Sequence, residues 1–113
     1  MKRPRGVDLY LQDMITSMER IASYLEGHTF ESFQNNFMVV DAVVRNFEII
    51  GEASKNIPMH VREKYANVPW QKMYQLRNVV SHSYFDVDHE TAKKGLPQNL
   101  IDLKEVLNRE TKN

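Results

Sequence analysis

Cysteine is absent from this chain of 113 residues. Its absence excludes disulfide bonds, thiolate nucleophiles and thiolate-zinc sites, so any catalysis has to use oxygen and nitrogen groups. Long apolar runs are also missing. The start MKRPRGVDLY has no signal-peptide core, and no segment reaches the roughly 20 apolar residues of a membrane span. These absences predict a cytoplasmic protein with no membrane partner.

A net charge is missing as well, because 15 basic residues balance 15 acidic ones. A general nucleic-acid binder relies on a positive field over the whole domain, so a nucleic-acid ligand would have to bind to local patches here. Basic residues that could form such patches are more often plain solvated surface. They are Lys2, Arg3, Arg5, Arg62, Lys64, Lys93 and Lys94.

What is present is helical periodicity. Apolar residues recur at spacings of three and four from residue 7 to 25, and Gly27 follows as a stop signal. Thr29 is a candidate N-cap for a short turn through Phe33. A second long helix is predicted from about residue 36 to 55. Its apolar residues form two flanks, one of Phe37, Val40, Val44 and Phe47 and one of Val39, Val43, Ile50 and Ala53, which predicts packing partners on two sides.

Prolines divide the second half of the chain. Pro58 and Pro69 each fit the first turn of a helix, the second of which is PWQKMYQLRNVV. The stretch DVDHETAKKG predicts a capped helix that ends at Gly95, and Pro97 opens a separate last helix. No segment has the pattern of a strand. With short connections throughout, we predict one all-α domain over residues 1–113, an antiparallel bundle of about five helices.

Four charged residues form a narrow stripe on the second long helix. Asp41, Arg45, Glu48 and Glu52 fall within about 60° of one another around an ideal helix. A solvated face with favourable charge pairs explains the stripe adequately. Because the helix is otherwise apolar, the stripe is also a candidate lining of a cleft, or a surface that meets its symmetry mate in a dimer.

Polar groups crowd into RNVVSHSYF, residues 77–85. In a continuing helix, Asn78 would align with His82, and its amide could fix the tautomer of the imidazole. Arg77 would align with Tyr84 on another face. Arg77 and His82 can therefore cooperate only if the helix ends within the motif or a second subunit closes the site. The crowding predicts a helix break and a dimer, although a lone histidine is more often structural than catalytic.

A metal site is an alternative for the same region. His82, Asp86, Asp88 and His89 offer nitrogen and oxygen ligands, but their spacing matches no strong metal motif. Helix capping explains the two aspartates without a metal. We therefore predict no metal and no other cofactor.

Three ordered blocks resemble one known family. RNVVSHSY has the Arg, four residues, His, one residue, Tyr pattern of the HEPN superfamily in its HepT-like form. RNFEIIGEASKNIP is similar to the second-helix signature of that group, and VPWQKMYQLRN to its usual lead-in. The resemblance covers nearly the whole chain.

The resemblance implies a HEPN-type helical bundle that dimerises and acts as a metal-independent ribonuclease, the toxin of a toxin–antitoxin module. It implies that Arg77 and His82 are the catalytic pair, and we assign Asn78 to positioning. The implied partners are RNA, a second copy of the chain and a minimal nucleotidyltransferase antitoxin of the MntA type. That antitoxin would silence the toxin by AMPylation of Tyr84. A tyrosine packed against Phe85 is the ordinary alternative for that residue.

Two rival functions stay open. Some HEPN proteins are non-catalytic, nucleotide-binding or substrate-presenting partners of nucleotidyltransferases, and zero net charge is compatible with that role. The third possibility is a purely structural helical dimer in which the motif is a remnant.

Overall fold

The structure, a computed structural model, describes residues 6–78 and 89–111. Within these residues it contains six α-helices, one short 3-10 turn and no strand. The all-α prediction is thereby confirmed. The helices are α1 (Val7–Leu25), α2 (Phe30–Gln34), α3 (Phe37–Lys55), α4 (Met59–Lys64), α5 (Trp70–Gln75) and α6 (His89–Thr111), and the 3-10 turn spans Leu76–Asn78.

Local sequence signals set the first helix boundaries where they were predicted. Gly27 follows α1 with a φ of 79°, a conformation that glycine adopts without strain. At the start of α2, the Thr29 hydroxyl accepts from the Ser32 amide and the Ser32 hydroxyl accepts from the Thr29 amide, each at 3.0 Å. This reciprocal capping box satisfies two amides that the helix leaves unpaired. The Asn36 side-chain oxygen caps α3 by accepting one hydrogen bond from the Val39 amide at 3.2 Å.

The core lies between the two 19-residue helices α1 and α3, and α6 packs along α1. The predicted seam of α1 is buried from Leu11 to Leu25. α5 and the 3-10 turn pack against α3. The largest fully buried side chains come from α1, α2, α3, α5, α6 and the residue Ile57 after α3: Leu11, Met14, Met18, Ile21, Phe33, Val40, Phe47, Ile50, Ile57, Met73 and Leu103. Val61 of α4 is also fully buried. In the described part of the chain, no helix combines the length and apolar character needed to cross a membrane.

Phe37 differs from its predicted place on a buried flank of α3. Its side chain is 75% exposed, whereas Phe47 of the same flank is buried. On an ideal helix Phe37 lies about 80° from Phe47 but only about 20° from Glu48, so it belongs with the charged stripe. The prediction grouped Phe37 with Phe47 because both are apolar, and it was wrong because Phe37 lies on the exposed face of α3.

The predicted break between Gly95 and Pro97 is wrong, because α6 runs through both residues. Leu96 before the proline and Leu103 and Val106 after it are all buried in the same core. A proline inside a helix costs about 3 kcal/mol. Burial of each large apolar side chain contributes about 1.5–3 kcal/mol, so packing on both sides of the proline outweighs the lost hydrogen bond.

Hydrogen bonds fasten α5 to the end of α3. The Ser54 hydroxyl, buried on α3, donates to the Trp70 carbonyl at 3.2 Å, and the Trp70 indole donates to the Tyr65 carbonyl at 3.1 Å. The Arg62 guanidinium donates to the carbonyls of Ser54, Lys55 and Ile57 at 3.2, 3.0 and 2.9 Å. Arg62 thus caps the C-terminus of α3. These bonds fix the direction in which α5 leads to the motif of residues 77–85.

Candidate functional site around Arg77

Arg77 and Asn78 lie on the 3-10 turn that follows α5. The α-helix that the sequence predicted to run to residue 80 ends earlier, at Gln75. A tighter 3-10 turn is common at the C-terminus of an α-helix. The α-helical rotation therefore stops before Arg77 and Asn78. The predicted alignments of Asn78 with His82 and of Arg77 with Tyr84 each include a residue outside the described part of the chain, so they stay predictions. Residues 79 and 80 lie outside the described part of the chain.

The backbone of Arg77 packs directly against Gly51 of α3. A Cβ atom at Gly51 would lie 2.6 Å from both the backbone nitrogen and the Cβ of Arg77, and 2.9 Å from the Tyr74 carbonyl oxygen. Such distances are too short for carbon against a main-chain atom. Only glycine therefore allows the 3-10 turn to approach α3 this closely. A glycine inside a long helix otherwise costs about 1 kcal/mol relative to alanine, and the close approach explains its presence.

The Arg77 side chain is held on two sides. Its Nη2 lies 3.2 Å from Oε1 of Glu52 on α3, and its Nη1 donates to the Tyr74 hydroxyl oxygen at 3.2 Å. The guanidinium carbon also lies 5.4 Å from the centre of the Tyr74 ring, within the range of a cation–π contact. About a third of the Arg77 side chain remains exposed. A restrained, accessible guanidinium suits recognition of a phosphate.

The other motif residues are described in part. Asn78 is exposed at the end of the 3-10 turn, beside Arg77 in sequence. His82 and Tyr84 lie outside the described residues, as do Asp86 and Asp88. Three of the four candidate metal ligands, His82, Asp86 and Asp88, are therefore not described. Their predicted roles therefore remain predictions.

The charged stripe of α3 divides into two ion pairs and one separate carboxylate. All four of its residues are exposed. Arg45 pairs with Glu48 on the same helix, and Glu52 pairs with Arg77 across to the 3-10 turn. For Asp41, the described residues offer no ion-pair partner. The end of the stripe at Glu52 is thus the part that meets the motif.

A cleft of about 190 Å³ opens between α1 and α3 next to this ion pair. Arg45 and Glu52 line it from α3, opposite Tyr10 and Asp13 of α1. Glu52 therefore forms part of the cleft wall and contacts Arg77 as well. The cleft therefore places an aromatic side chain and several polar side chains near Glu52, the residue that contacts the Arg77 guanidinium.

A larger cavity of about 650 Å³ lies elsewhere, between the end of α1 and the early part of α6. Its walls are mainly apolar, with Met18, Ile21 and Leu96 among them. The charged groups that line it are Glu19 and Glu26, which would repel a phosphate. This cavity is a poor candidate for binding an anionic ligand.

Among the residues that the structure describes, no group of three histidine, aspartate or glutamate side chains is arranged to hold a metal ion. The side chains gathered at Arg77 are one guanidinium, one carboxylate and one phenol. The guanidinium can bind an anion through charge and hydrogen bonds, while the carboxylate and the phenol hold the guanidinium in place.

Sequence reasoning missed two residues of this site, Gly51 and Tyr74. Gly51 carried a usable signal, since a glycine in the middle of an otherwise strong helix often marks a close approach of another backbone. Tyr74 also carried a signal, because it precedes Arg77 by three residues and side chains at that spacing are neighbours on a helix.

Comparisons with known proteins agree on one family. The family model described as "Ribonuclease HepT-like" matches residues 14–110. The "Putative RNase" of Caldanaerobacter subterraneus subsp. tengcongensis is 37% identical over 97% of this chain and 99% of that protein. The "Probable ribonuclease HepT" of Thermococcus cleftensis is 36% identical over 84% of this chain and 86% of that protein.

A further relative combines two named activities. The "Gamma-glutamylcyclotransferase and putative RNase" of Methanocaldococcus jannaschii is 35% identical over 96% of this chain but only 51% of its own length. The chain thus spans about half of that protein. No solved structure gives a significant match.

Proposed function

Since this chain belongs to the HepT-like family of the HEPN superfamily, we propose that it is a metal-independent ribonuclease that acts as the toxin of a toxin–antitoxin module. The names of the relatives above include RNase or ribonuclease, which supports the reaction class. The toxin role, the partners and the independence from metal are inferred from the resemblance of the motif.

The observation that carries the proposal is the setting of Arg77. The guanidinium is restrained by Glu52 and Tyr74 and still about a third exposed at the surface. A positioned cation at a helix end can bind a phosphodiester and stabilise the charge that grows on its oxygens during displacement.

In the proposed reaction, His82 removes the proton from an RNA 2′-hydroxyl. The 2′-oxygen forms a bond to phosphorus, and the bond between phosphorus and the 5′-oxygen of the next nucleotide breaks. Arg77 stabilises the charge on the non-bridging oxygens, and a second acid protonates the leaving 5′-oxygen. The products are a 2′,3′-cyclic phosphate and a free 5′-hydroxyl, so the protons balance without a metal ion.

The second acid requires another group, which we assign to a homodimer. In a twofold dimer, the partner subunit's His82 can take this role, and each Arg77 would serve a composite site. Asn78, exposed beside Arg77, is assigned to positioning in the same site.

Regulation is assigned to Tyr84 and a minimal nucleotidyltransferase. Transfer of AMP to the Tyr84 hydroxyl would join its oxygen to the α-phosphorus of ATP and release pyrophosphate. The new phosphate carries a negative charge close to Arg77 in sequence and would compete with RNA for the guanidinium.

A second candidate function is supported by the charge balance. With equal numbers of acidic and basic residues, and with Glu52 next to Arg77, the chain could bind a nucleotide or present a substrate to a nucleotidyltransferase without cutting RNA. Binding of nucleotide without cleavage of RNA would identify this case.

The deciding experiment is cleavage of RNA by purified protein in EDTA. Wild type should cut, while Arg77→Ala and His82→Ala should lose at least about 100-fold in rate, the scale of one acid–base or charge-stabilising group. Arg20→Ala is the matched control, because Arg20 is an exposed arginine on α1. If EDTA abolishes cleavage of RNA by wild type, the metal-independent mechanism is contradicted.

Two further measurements test the module. Growth arrest on expression should disappear in Arg77→Ala but persist in Arg20→Ala. Mass spectrometry after co-expression with a neighbouring nucleotidyltransferase should show one AMP on Tyr84, and an unmodified Tyr84 in an inactivated complex would contradict this regulation.

A further inference from the structure

We infer that Glu52 and Tyr74 are positioning residues that present the Arg77 guanidinium to the scissile phosphate. The inference rests on the proposed ribonuclease function and adds two residues to it. Neither residue belongs to the motif of residues 77–85.

The contacts fix Arg77 from its backbone to its tip. Gly51 sets the main-chain position, since its missing Cβ leaves the space that Arg77 occupies. Glu52 holds Nη2 at 3.2 Å, and Tyr74 holds Nη1 at 3.2 Å with its ring 5.4 Å from the guanidinium carbon. A long, flexible side chain therefore loses its rotational freedom in the folded protein, before substrate arrives.

The restraints leave donors available for substrate. A guanidinium carries five N–H donors. One nitrogen donates to Tyr74 and another forms the ion pair with Glu52. Among the described residues, this leaves three donors, including Nε–H, for phosphate oxygens. The arrangement is compatible with a bidentate contact to one phosphate.

The negative charge of Glu52 opposes the binding of RNA, which makes a positioning role measurable. Its carboxylate offsets part of the positive charge of Arg77 and repels RNA, so its removal should not weaken substrate binding. If Glu52 acts by positioning, its removal should lower kcat and leave KM unchanged or lower. If the carboxylate only competes with RNA for Arg77, its removal should lower KM and leave kcat unchanged.

Glu48 provides the matched control. It lies one turn before Glu52 on the same exposed face, but its partner is Arg45 and not Arg77. Glu52→Ala and Glu48→Ala remove the same group from the same helix, and alanine is a good helix former. Both variants should fold, which thermal unfolding would verify.

The kinetic test compares kcat and KM for a short RNA substrate. Glu52→Ala should lower kcat by about 10- to 100-fold, the scale of a mispositioned catalytic group, with KM unchanged or reduced. Glu48→Ala should stay close to wild type. Equal kcat in the two variants, or a raised kcat in Glu52→Ala, would overturn the inference.

A second measurement follows Arg77 directly. NMR signals of its guanidinium should show hindered rotation about the bonds to Nη1 and Nη2 in wild type and in Glu48→Ala. Rotation about the bond to Nη2 should become faster in Glu52→Ala, and rotation about the bond to Nη1 should become faster in Tyr74→Ala. Free rotation in wild type would overturn the inference.

These two readouts separate the two proposals. Suppose that wild type cuts no RNA, while the NMR signals show that Arg77 is restrained in wild type and released in Glu52→Ala. The proposed nuclease function then fails, and the positioning by Glu52 stands. If wild type cuts RNA and Glu52→Ala changes neither kcat nor the Arg77 signals, the positioning role fails and the nuclease remains.

Discussion

The guanidinium of Arg77 and the carboxylate of Glu52 lie 3.2 Å apart, although the two residues are 25 positions apart in the chain. The contact joins the charged stripe of α3 to the motif that follows α5. It depends on the adjacent Gly51, against which the backbone of Arg77 packs. A residue that looked like part of a solvated helix face thus contributes to the candidate site.

Gly51→Ala tests the close packing. In an ordinary helix this substitution stabilises by about 1 kcal/mol. Here the new Cβ would meet the Arg77 nitrogen at 2.6 Å and the Tyr74 carbonyl at 2.9 Å, and we expect destabilisation of about 1–3 kcal/mol, typical of overpacking. Urea denaturation measures the change.

The same variant has a glycine control. Gly6→Ala would bring its Cβ to 2.5 Å from a carboxylate oxygen of Asp8, but that atom ends a flexible side chain that can rotate away. Its loss of stability should be smaller than that of Gly51→Ala. A stability gain in Gly51→Ala would contradict the close approach of the 3-10 turn.

Tyr74→Phe tests the hydroxyl on Arg77 separately from the ring. The substitution removes the acceptor at 3.2 Å from Nη1 and keeps the ring near the guanidinium. One hydrogen bond contributes about 0.5–1.5 kcal/mol. Since about 1.4 kcal/mol corresponds to a tenfold change in rate, the cleavage rate should fall by less than about 15-fold. Tyr74→Ala should reduce cleavage further.

Tyr24→Phe is the control for Tyr74→Phe, because Tyr24 is also partly buried but lies on α1. Its cleavage rate should equal that of wild type. If Tyr74→Phe also matches wild type while Tyr74→Ala is impaired, the ring and not the hydroxyl holds Arg77.

The helices of the first half of the chain could be predicted because their signals are local. The α1 seam, the turn at Gly27 and the Thr29 cap each depend on residues at most a few positions apart. Such signals work within a single helix, without knowledge of its neighbours.

Two of the failures have the opposite property, because they depend on contacts between helices. The continuous α6 through Pro97 depends on packing against α1, and the contact of Arg77 with Glu52 depends on how α5 is fastened to α3. Helical periodicity identified Arg77 and Glu52 as polar residues of interest on separate helices. It could not bring them together, because their distance is set by tertiary structure.

Pro97→Ala follows from the continuous α6. Proline lacks the N–H that would bond to the carbonyl four residues earlier, and alanine would restore this donor inside the helix. We expect stabilisation of up to about 3 kcal/mol, the difference in helix propensity between the two residues. The change is read as a higher midpoint of urea denaturation.

Gln98→Ala serves as its control, since Gln98 is the next residue of α6 and is exposed. Its effect should stay within about 0.5 kcal/mol, as for most surface substitutions. Destabilisation by Pro97→Ala would show that the proline has a favourable role in α6.

The last prediction concerns acid stability through Glu110. Its carboxylate accepts from the Tyr65 hydroxyl at 2.7 Å and from the Lys64 ammonium at 3.0 Å, which ties α6 to α4 and the residue after it. The hydrogen bond from Tyr65, and then that from Lys64, lower the pKa of Glu110 from its ordinary value of 4.5. A carboxylate with a depressed pKa stabilises the fold while it is ionised.

The pH dependence of stability follows from the lowered pKa of Glu110. The contribution of Glu110 is complete above pH 4.5 and is lost as the pH falls through the lowered pKa of the folded state. Wild type should therefore be more stable than Glu110→Gln at pH 7, and the difference should shrink below pH 4.5. Glu105→Gln on the same helix removes only an exposed pair with Arg109, so its effect should be small at every pH. A difference between wild type and Glu110→Gln that does not change with pH would show that packing, and not the ionised carboxylate, accounts for the role of Glu110.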